Sequence, residues 1–525
     1  MKVTAIGHAG LKVDTARAKL LVDPWFSPEG AFQASWFQYP ENSHLLGPSI
    51  LEPTAIVISH EHMDHIDPWF LARVSSTVPV VIPRYPSPVL RRKIESAGSR
   101  TIIEARPWEP VGIADGTTVF FVSEQSPMNH DSAIVIQGDG QTVLDLNDAR
   151  LFPVQFRGIR QRVGGRIDVF AFQGSGASWY PMSYGYPKER EHRMAHGKRQ
   201  AKLAYTARSI EIVEPAMAMP FAGPPCFLDP ELFRHNQQME DGIFPDQQQV
   251  VDWLERRGIH DTVVLLPGDG WDLDARTEDP DPHWAGFSLA ARDAYLEAYE
   301  KRRSLEVEAV RARYPDPDGS LWEPFQEYFQ RLLAMSPYFN EKIGMRVGFD
   351  VTGPGGGRWA VDFRTGSKGV HDDTGECGYR YRFASRWLPP LHDGSVPWED
   401  FFLSLRFEAN REPDLYNDHL LGLLKFTVPH ALDAVEEFET SLDSDERITI
   451  HSNGRSYSVS RYCPHAGNDL LNTGEVLPEG ILRCLAHHYE FDLETGECVN
   501  GMTSPLDVEP LDVGTGGAGS EPHLR

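Results

Sequence analysis

The chain has 525 residues, which at about 150 residues per domain is room for three or four domains, and its 41% hydrophobic and 24% charged residues are those of a globular protein. Lys and Arg total 50 against 76 Asp and Glu, a formal net charge of −26, so nucleic-acid or anionic-membrane binding through bulk charge is excluded, although a local basic pocket for an anionic small molecule is not. There is no run of about 18 apolar residues, so no membrane-spanning helix is expected. The opening Met1-Lys2-Val3-Thr4-Ala5-Ile6-Gly7-His8 reads as a strand and not as a secretory leader, which makes the cytoplasm the expected compartment.

In chain order, short apolar or β-branched runs predict strands at Val3–Ile6, Leu20–Val22, Ala55–Ser59, Val78–Ile82, Thr117–Val122, Ala133–Ile136 and Thr142–Leu146. Helical patterns fall at Pro86–Ala97, Lys188–Glu214 and Asp246–Arg257, followed by a strand at Thr262–Leu266. Strands mixed with helices predict a layered α/β domain over residues 1–275. Acidic, Pro-containing sequence then leads into helices Ser288–Tyr314 and Leu321–Met335. Next come a hairpin, Met345–Val351 to Trp359–Phe363 across the turn Gly353–Gly357, and a helix at Trp398–Phe407, giving a helical and α+β region over 276–440. Short strands at Arg447–His451, Ser456–Tyr462, Ile481–Cys484 and Tyr489–Asp492 predict an all-β domain over 441–513. The Gly-rich tail 514–525 is expected to be disordered.

Strand Ala55–Ser59 runs straight into His60-Glu61-His62-Met63-Asp64-His65. Four metal-competent side chains in six residues at a strand end suit a first-row metal: imidazole suits zinc or iron, and the carboxylate favours iron or manganese. This motif, with Gly7-His8-Ala9 and Leu21-Val22-Asp23-Pro24-Trp25-Phe26, resembles the metallo-β-lactamase fold superfamily, which implies an αββα sandwich. The resemblance implies His130 as the next ligand, and Asp148 as the bridging carboxylate in preference to Asp145. That family's last ligand is a His near residue 220; here Ala218–Cys226 contains none, and His235 is either a weak substitute or a surface residue. One site (His60, His62, His130) is therefore expected to be complete and a second (Asp64, His65, Asp148) to be weaker or absent.

Near the other end stand Cys463-Pro464-His465 and Cys484-Leu485-Ala486-His487. One thiolate and one imidazole in each half resemble the Rieske family, in which two Cys hold one iron and two His the other iron of a [2Fe–2S] cluster. A Cys2His2 zinc site is the competing reading. Cys498 and His488 are not expected ligands, and Cys226 and Cys377 read as buried small hydrophobes.

A one-electron cluster beside a histidine–carboxylate site argues for redox-active iron. The pair resembles the hydroxylases of cytidine-monophosphate-linked N-acetylneuraminic acid, as do Phe172–Pro181, Pro220–Gly223, Trp398-Glu399-Asp400 and Pro413–Asn417. The module order departs from that family, whose animal members carry the Rieske domain first. The resemblance implies an oxygenase with one or two non-heme iron ions (zinc as the alternative) and O2 as co-substrate. A small polar substrate, an external ferredoxin or reductase and a possible homo-oligomer complete the expectation. The rival expectations are a metal-dependent hydrolase with a regulatory Rieske domain, and an electron-transfer or redox-sensing protein. Ser175, Trp179 and Tyr180 either line a substrate pocket or pack the core, and Leu266–Gly270 reads as a turn.

Overall fold

The computed structural model describes all residues except 126, 177, 239–241, 374, 415, 427, 442–444, 466, 487, 501–502, 512–522 and 525. Two sheets face each other at the N-terminal end of the chain. One runs in the order Thr277–Asp279, Gly270–Asp272, Lys2–Gly7, Gly10–Asp14, Lys19–Val22, Ala55–Val57, Val80–Pro83, Ile102–Ala105. The other runs Ala218–Phe221, Val169–Gln173, Gln141–Asp145, Ser132–Gly138, Thr117–Ser123, Val111–Ala114.

Strand alternation explains why both sheets are buried on both faces. From Thr117–Ser123 and Ser132–Gly138, Val119, Phe121, Ile134 and Ile136 enter the core between the sheets, where Val3, Val57 and Val169 meet them. Their neighbours Phe120, Val122, Ala133 and Val135 point the other way, onto helices Pro153–Arg162, Lys188–Val213 and Gln247–Glu255. On the first sheet, Leu21, Ile56 and Val80 pack outward against Phe70, Leu90 and Ile94 of short helices. The result is the αββα sandwich. Each fully buried aliphatic or aromatic side chain here contributes about 1.5–3 kcal/mol.

Strands Lys19–Val22, Ala55–Val57, Val80–Pro83 and Ile102–Ala105 are parallel, as are Gln141–Asp145, Val169–Gln173 and Ala218–Phe221. Their carboxyl ends deliver His60, Asp148 and Gln173, and ligands of open parallel sheets gather at such ends. Thr262–Leu266 makes only an isolated bridge from Thr262 to Ala218 instead of the expected strand. Leu266 N is claimed by Asp269 Oδ2 at 2.8 Å, which turns the chain away from the sheet.

Helix Arg292–Ala312 packs Leu296, Tyr299, Val307 and Val310 on Phe37, Tyr39 and Cys226 of the sandwich. Beyond it, a five-stranded sheet carries Gly369–His371, Gly357–Asp362, Arg346–Thr352, Tyr379–Ala384 and Phe407–Arg411, with helices that bury Phe325, Phe329, Trp398 and Phe401 against it. The helix expected over Trp398–Phe407 stops at Leu403, and Phe407–Arg411 is instead an edge strand alternating Phe407, Ala409 and Arg411 inward. The C-terminal part has a sheet of Val508–Leu511, Arg455–Ser460, Arg447–Ser452 and His523–Leu524, and a second of Gly474–Leu477, Ile481–Cys484 and Glu490–Asp492. Of the tail 514–525, only His523–Leu524 are among the described residues, and they pair in parallel with Thr449 and Ile450.

Candidate metal centre and cluster-binding loops

The strand ends around the first motif hold several non-glycine residues in left-handed backbone: His8 (φ 49°), Asp23 (φ 41°), Asn147 (φ 39°) and Ala222 (φ 52°). Such conformations cost about 1–3 kcal/mol each and persist only where surrounding bonds over-determine them. Asp23 illustrates this: its carboxylate accepts from Ser59 N at 2.8 Å and Ser59 Oγ at 2.5 Å, and it pairs with His65 Nδ1 at 2.8 Å. Gly7 (φ 100°) must be glycine because a Cβ would sit 2.9 Å from Asn42 Nδ2, and this close approach aims His8 at the site.

His60 Nε2 lies 2.8 Å from His62 Nδ1 and 3.7 Å from Asp131 Oδ1. His65 Nε2 lies 3.5 Å from Asp148 Oδ1 and 3.8 Å from Asp64 Oδ2, and His8 Nε2 is 2.8 Å from the same Asp64 oxygen. The donors form three overlapping groups, each within 4.8 Å: His60, His62, Asp131; His60, His65, Asp148; and His8, Asp64, His65. Behind the imidazoles stand partners that fix their orientation, as metal-binding histidines require. Ser59 Oγ is 2.8 Å from His60 Nδ1, Asp23 holds His65 Nδ1, and Glu399 Oε2 is 3.3 Å from His62 Nε2.

Glu399 comes from helix Trp398–Leu403, so the middle region completes a site begun in the sandwich. Lys425, 2.9 Å from Glu399, and Lys93, 3.0 Å from Asp400, fasten that helix. Burial lowers the His62 imidazole, but Glu399 overrides it and lifts His62 to about 9. For His60, burial and the neighbouring His65 and His62 push the same way, well below the usual value. Burial opposes ionisation of Asp64, yet His65 and His8 hold it far below the usual carboxylate range.

The residues fit a metal. His65 Nε2 is buried without a hydrogen-bond partner, and two imidazole nitrogens 2.8 Å apart share at most one proton, so their lone pairs converge on a point a cation can occupy. Nitrogen and carboxylate donors together suit iron, manganese or zinc.

The structure brings together His60, His62, Asp64, His65 and Asp148 from the sequence reading, and adds two residues that reading did not select as ligands. Asp131, next to His130, joins one of the groups and His130 does not, although His130 Nε2 is also buried without a hydrogen-bond partner. The His130 ring stacks on Tyr85 (centroids 4.8 Å apart) and its Nδ1 meets Glu61 Oε1 at 3.0 Å, so it belongs to none of the three groups. His8 brings a further imidazole into the third group, beside Asp64 and His65. His235 is buried, at 3% exposure, against Phe227, and is not a surface residue. Asp145 is fully buried and accepts from Asn147 N at 2.9 Å; burial, then the charge of Asp23, raises its carboxyl well above the usual range. No local sequence signal selected either residue: His8 enters through a left-handed turn, and Asp131 lies one residue before strand Ser132–Gly138.

In the C-terminal part, two loops close on themselves. Cys463 N donates to Asn468 O (2.8 Å) and Gly467 N to Cys463 O (2.9 Å); Cys484 N donates to Tyr489 O (2.8 Å) and His488 N to Cys484 O (2.8 Å). Both cysteines are buried, at 2% and 1% exposure, in a core that also takes Phe152 from the sandwich. The His465 ring packs on Tyr489 at 4.4 Å. His487 lies outside the described residues. Two buried thiols and an imidazole on paired loops fit a thiolate–imidazole iron–sulfur cluster. Cys498 is half-buried with its thiol toward Asn500, Cys226 is buried with its thiol pushed up to about 12 by burial, and Cys377 is half-buried instead of enclosed.

A cleft of about 60 Å³ lies beside the metal groups, with Met128, Trp179, Glu399, Tyr416 and Asp418 in its wall. A second, of about 50 Å³, shares Met128, Asn129 and Asp418 with it and reaches Arg150 of the sandwich and Asn468 and Ala486 of the cluster loops. Ser175 is buried behind the wall, at 2% exposure, and Tyr180 lies between Lys198 and Arg411. Asp269 accepts from Leu266 N and Asp281 N, which makes Leu266–Gly270 a turn.

The fold and the two ligand sets define a beta-lactamase-superfamily metal domain joined to a Rieske domain. The Beta-lactamase superfamily domain matches residues 18–220 and the Rieske [2Fe-2S] domain residues 431–508. A Rieske 2Fe-2S iron-sulfur protein of Mycolicibacterium smegmatis is 31% identical over 97% of this chain and 100% of its own length, and the chain belongs to that family. It is also similar to the cytidine monophosphate-N-acetylneuraminic acid hydroxylase of Danio rerio, 25% identical over 87% of this chain and 77% of the relative. CmlA, a diiron beta-hydroxylase from Streptomyces venezuelae, overlays with a TM-score of 0.35 at 18% identity, covering 50% of this chain and 52% of CmlA. No helix among the described residues is long and apolar enough to cross a membrane.

Proposed function

We propose that the protein is a Rieske-coupled non-heme iron oxygenase that uses O2 to hydroxylate, or to oxidise at nitrogen, a small polar substrate, with electrons from an external ferredoxin or reductase. One observation carries this reading: Glu399, which orients His62 of the donor groups, lines one cleft, and Ala486, beside Cys484, lines a second that shares Met128, Asn129 and Asp418 with the first, all inside a single chain. Ala486, between Cys484 and His487, accepts a hydrogen bond from Arg150 at 3.2 Å, and Arg150 is two residues from Asp148. This contact supports an electron path within one chain.

His60, His62 and Asp131 would hold one iron, and His65, Asp64, Asp148 and His8 a second. Cys463, His465, Cys484 and His487 would hold the [2Fe–2S] cluster. Iron with open positions supplies O2 activation, and the cluster supplies electrons one at a time. The protein's own part is orientation. Asp23 and Glu399 hold imidazoles in register, Gln173 Nε2 fixes Asp148 Oδ1 at 2.5 Å, and Trp179 and Phe402, packed at 5.3 Å, present an apolar wall to the cleft.

The test is a metal count on purified protein together with its absorption spectrum before and after dithionite. Iron well above two per chain with little zinc, and a bleachable visible band, is the expected result. Two iron with one or two zinc would point to a hydrolase with a regulatory Rieske domain. Two iron with no metal at the His60 groups would leave only electron transfer or redox sensing.

A further inference from the structure

In a chain of formal net charge −26, three cations stand near one another, and among the described residues none of them is in a close ion pair. Lys198 and Lys202 are one turn apart on helix Lys188–Val213, on the side that packs against strand Val169–Gln173. The Lys198 ammonium donates to Ser178 Oγ at 2.6 Å and to the Tyr180 carbonyl at 3.1 Å, and Lys202 donates to Gln173 Oε1 at 2.6 Å. The Arg150 guanidinium donates to the Ala486 carbonyl. All four acceptors are neutral, and among the described residues none of the three charges enters an ion pair.

The arrangement is unfavourable as it stands. Burial, then Arg150 and Lys202, push Lys198 down to about 7, and burial with Arg150 outweighs the carboxylates of Asp148, Glu124 and Asp131 and brings Lys202 down to about 8. An ammonium has three N–H donors. Lys198 uses two and Lys202 one, so three remain unspent beside a guanidinium. Both lysines keep partial solvent contact. Trp179, flanked by the two residues that hold Lys198, lines the cleft next to Glu399, and Arg150 lines the cleft next to Ala486. An oxyanion placed among the three cations would exchange mutual repulsion for charge-assisted hydrogen bonds, the strongest kind available to such groups.

We infer that Lys198, Lys202 and Arg150 form an oxyanion-binding subsite for a phosphate or carboxylate group carried by the molecule that enters the clefts. That this molecule is the oxygenase substrate rests on the function proposed above; the anion site itself does not.

The experiment is calorimetric titration of the as-purified protein with inorganic phosphate and, separately, with acetate, at constant ionic strength. Saturable binding of at least one probe, at one per chain, is expected; the tighter probe assigns the group as phosphate or carboxylate. Lys198→Met should weaken it at least ten-fold and Lys198→Arg should restore most of it. Removing an uncompensated charge favours folding, so Lys198→Met is expected to fold, and phosphate should raise the melting temperature of the wild type but not of this variant. Absence of saturable binding of both probes to the wild type, or unchanged affinity in Lys198→Met, overturns the subsite; the latter would mean that the anion sits on the metal. Anion binding by a protein that shows no O2-dependent turnover would keep the subsite and remove the oxygenase.

Discussion

Arg150 joins the two ends of the chain: its guanidinium reaches 3.2 Å to the carbonyl oxygen of Ala486, 336 residues away in sequence. Nearby, Arg208 pairs with Glu475, and Phe152 sits in the same core as Cys463 and Cys484. The cluster loops are thus seated on the sandwich next to the strand end that carries Asp148. Arg150→Ala should leave the visible absorption and the metal content intact while slowing reoxidation of the dithionite-reduced cluster by O2 at least ten-fold. Stopped-flow absorbance reads this directly, and an unchanged rate would remove Arg150 from the coupling.

His60 belongs to two of the three donor groups, so its loss acts on both metal positions. His60→Ala is expected to abolish turnover and strip the N-terminal metal while keeping the visible band. Cys484→Ala should do the reverse, losing the band and multiple turnover but keeping the N-terminal metal. Metal analysis and spectra of the two variants, side by side, check both halves. Multiple turnover by Cys484→Ala without another electron source would count against the relay.

Asp131 and His130 are adjacent but have different neighbours: Asp131 faces His60, and His130 meets Glu61 and Tyr85. Asp131→Ala should lower bound metal by about one per chain with little change in fold. His130→Ala should keep the metal count but leave the Glu61 carboxylate buried without its partner, at a cost of about 3–5 kcal/mol. Metal content paired with denaturant titration separates the two, and equal metal loss in both would place His130 among the ligands.

A pH dependence follows from His392, which stacks on Tyr328 with centroids 4.6 Å apart. Burial, then the charge of Arg331, lowers it from 6.5 to about 4. Below pH 6.5 the unfolded chain therefore takes up a proton that the native state refuses. Its contribution to stability is complete above about 6.5 and is lost as pH falls to about 4, amounting to about 3 kcal/mol. His392→Phe should flatten the stability curve over that window in urea titrations; an unchanged slope would show that other groups set it.

The sequence by itself determined the local elements and the two ligand motifs. Period-two alternation marked the buried strands of the sandwich, and the clustering of His60 to His65 or of Cys463 with His465 needs no distant partner to be seen. Tertiary structure decided what lies far apart in the chain. His8 enters through a left-handed turn that Gly7 permits and Asn42 supports, Glu399 reaches His62 from a helix more than 330 residues on, and Lys198 meets Arg150 only after the sheets have packed. The neighbours of His130 and Asp131 were equally invisible: both precede strand Ser132–Gly138, and it is the fold that stacks His130 on Tyr85 and brings Asp131 to His60. Local patterns report what each residue prefers; which preferences are brought within bonding distance is set by the folded chain as a whole.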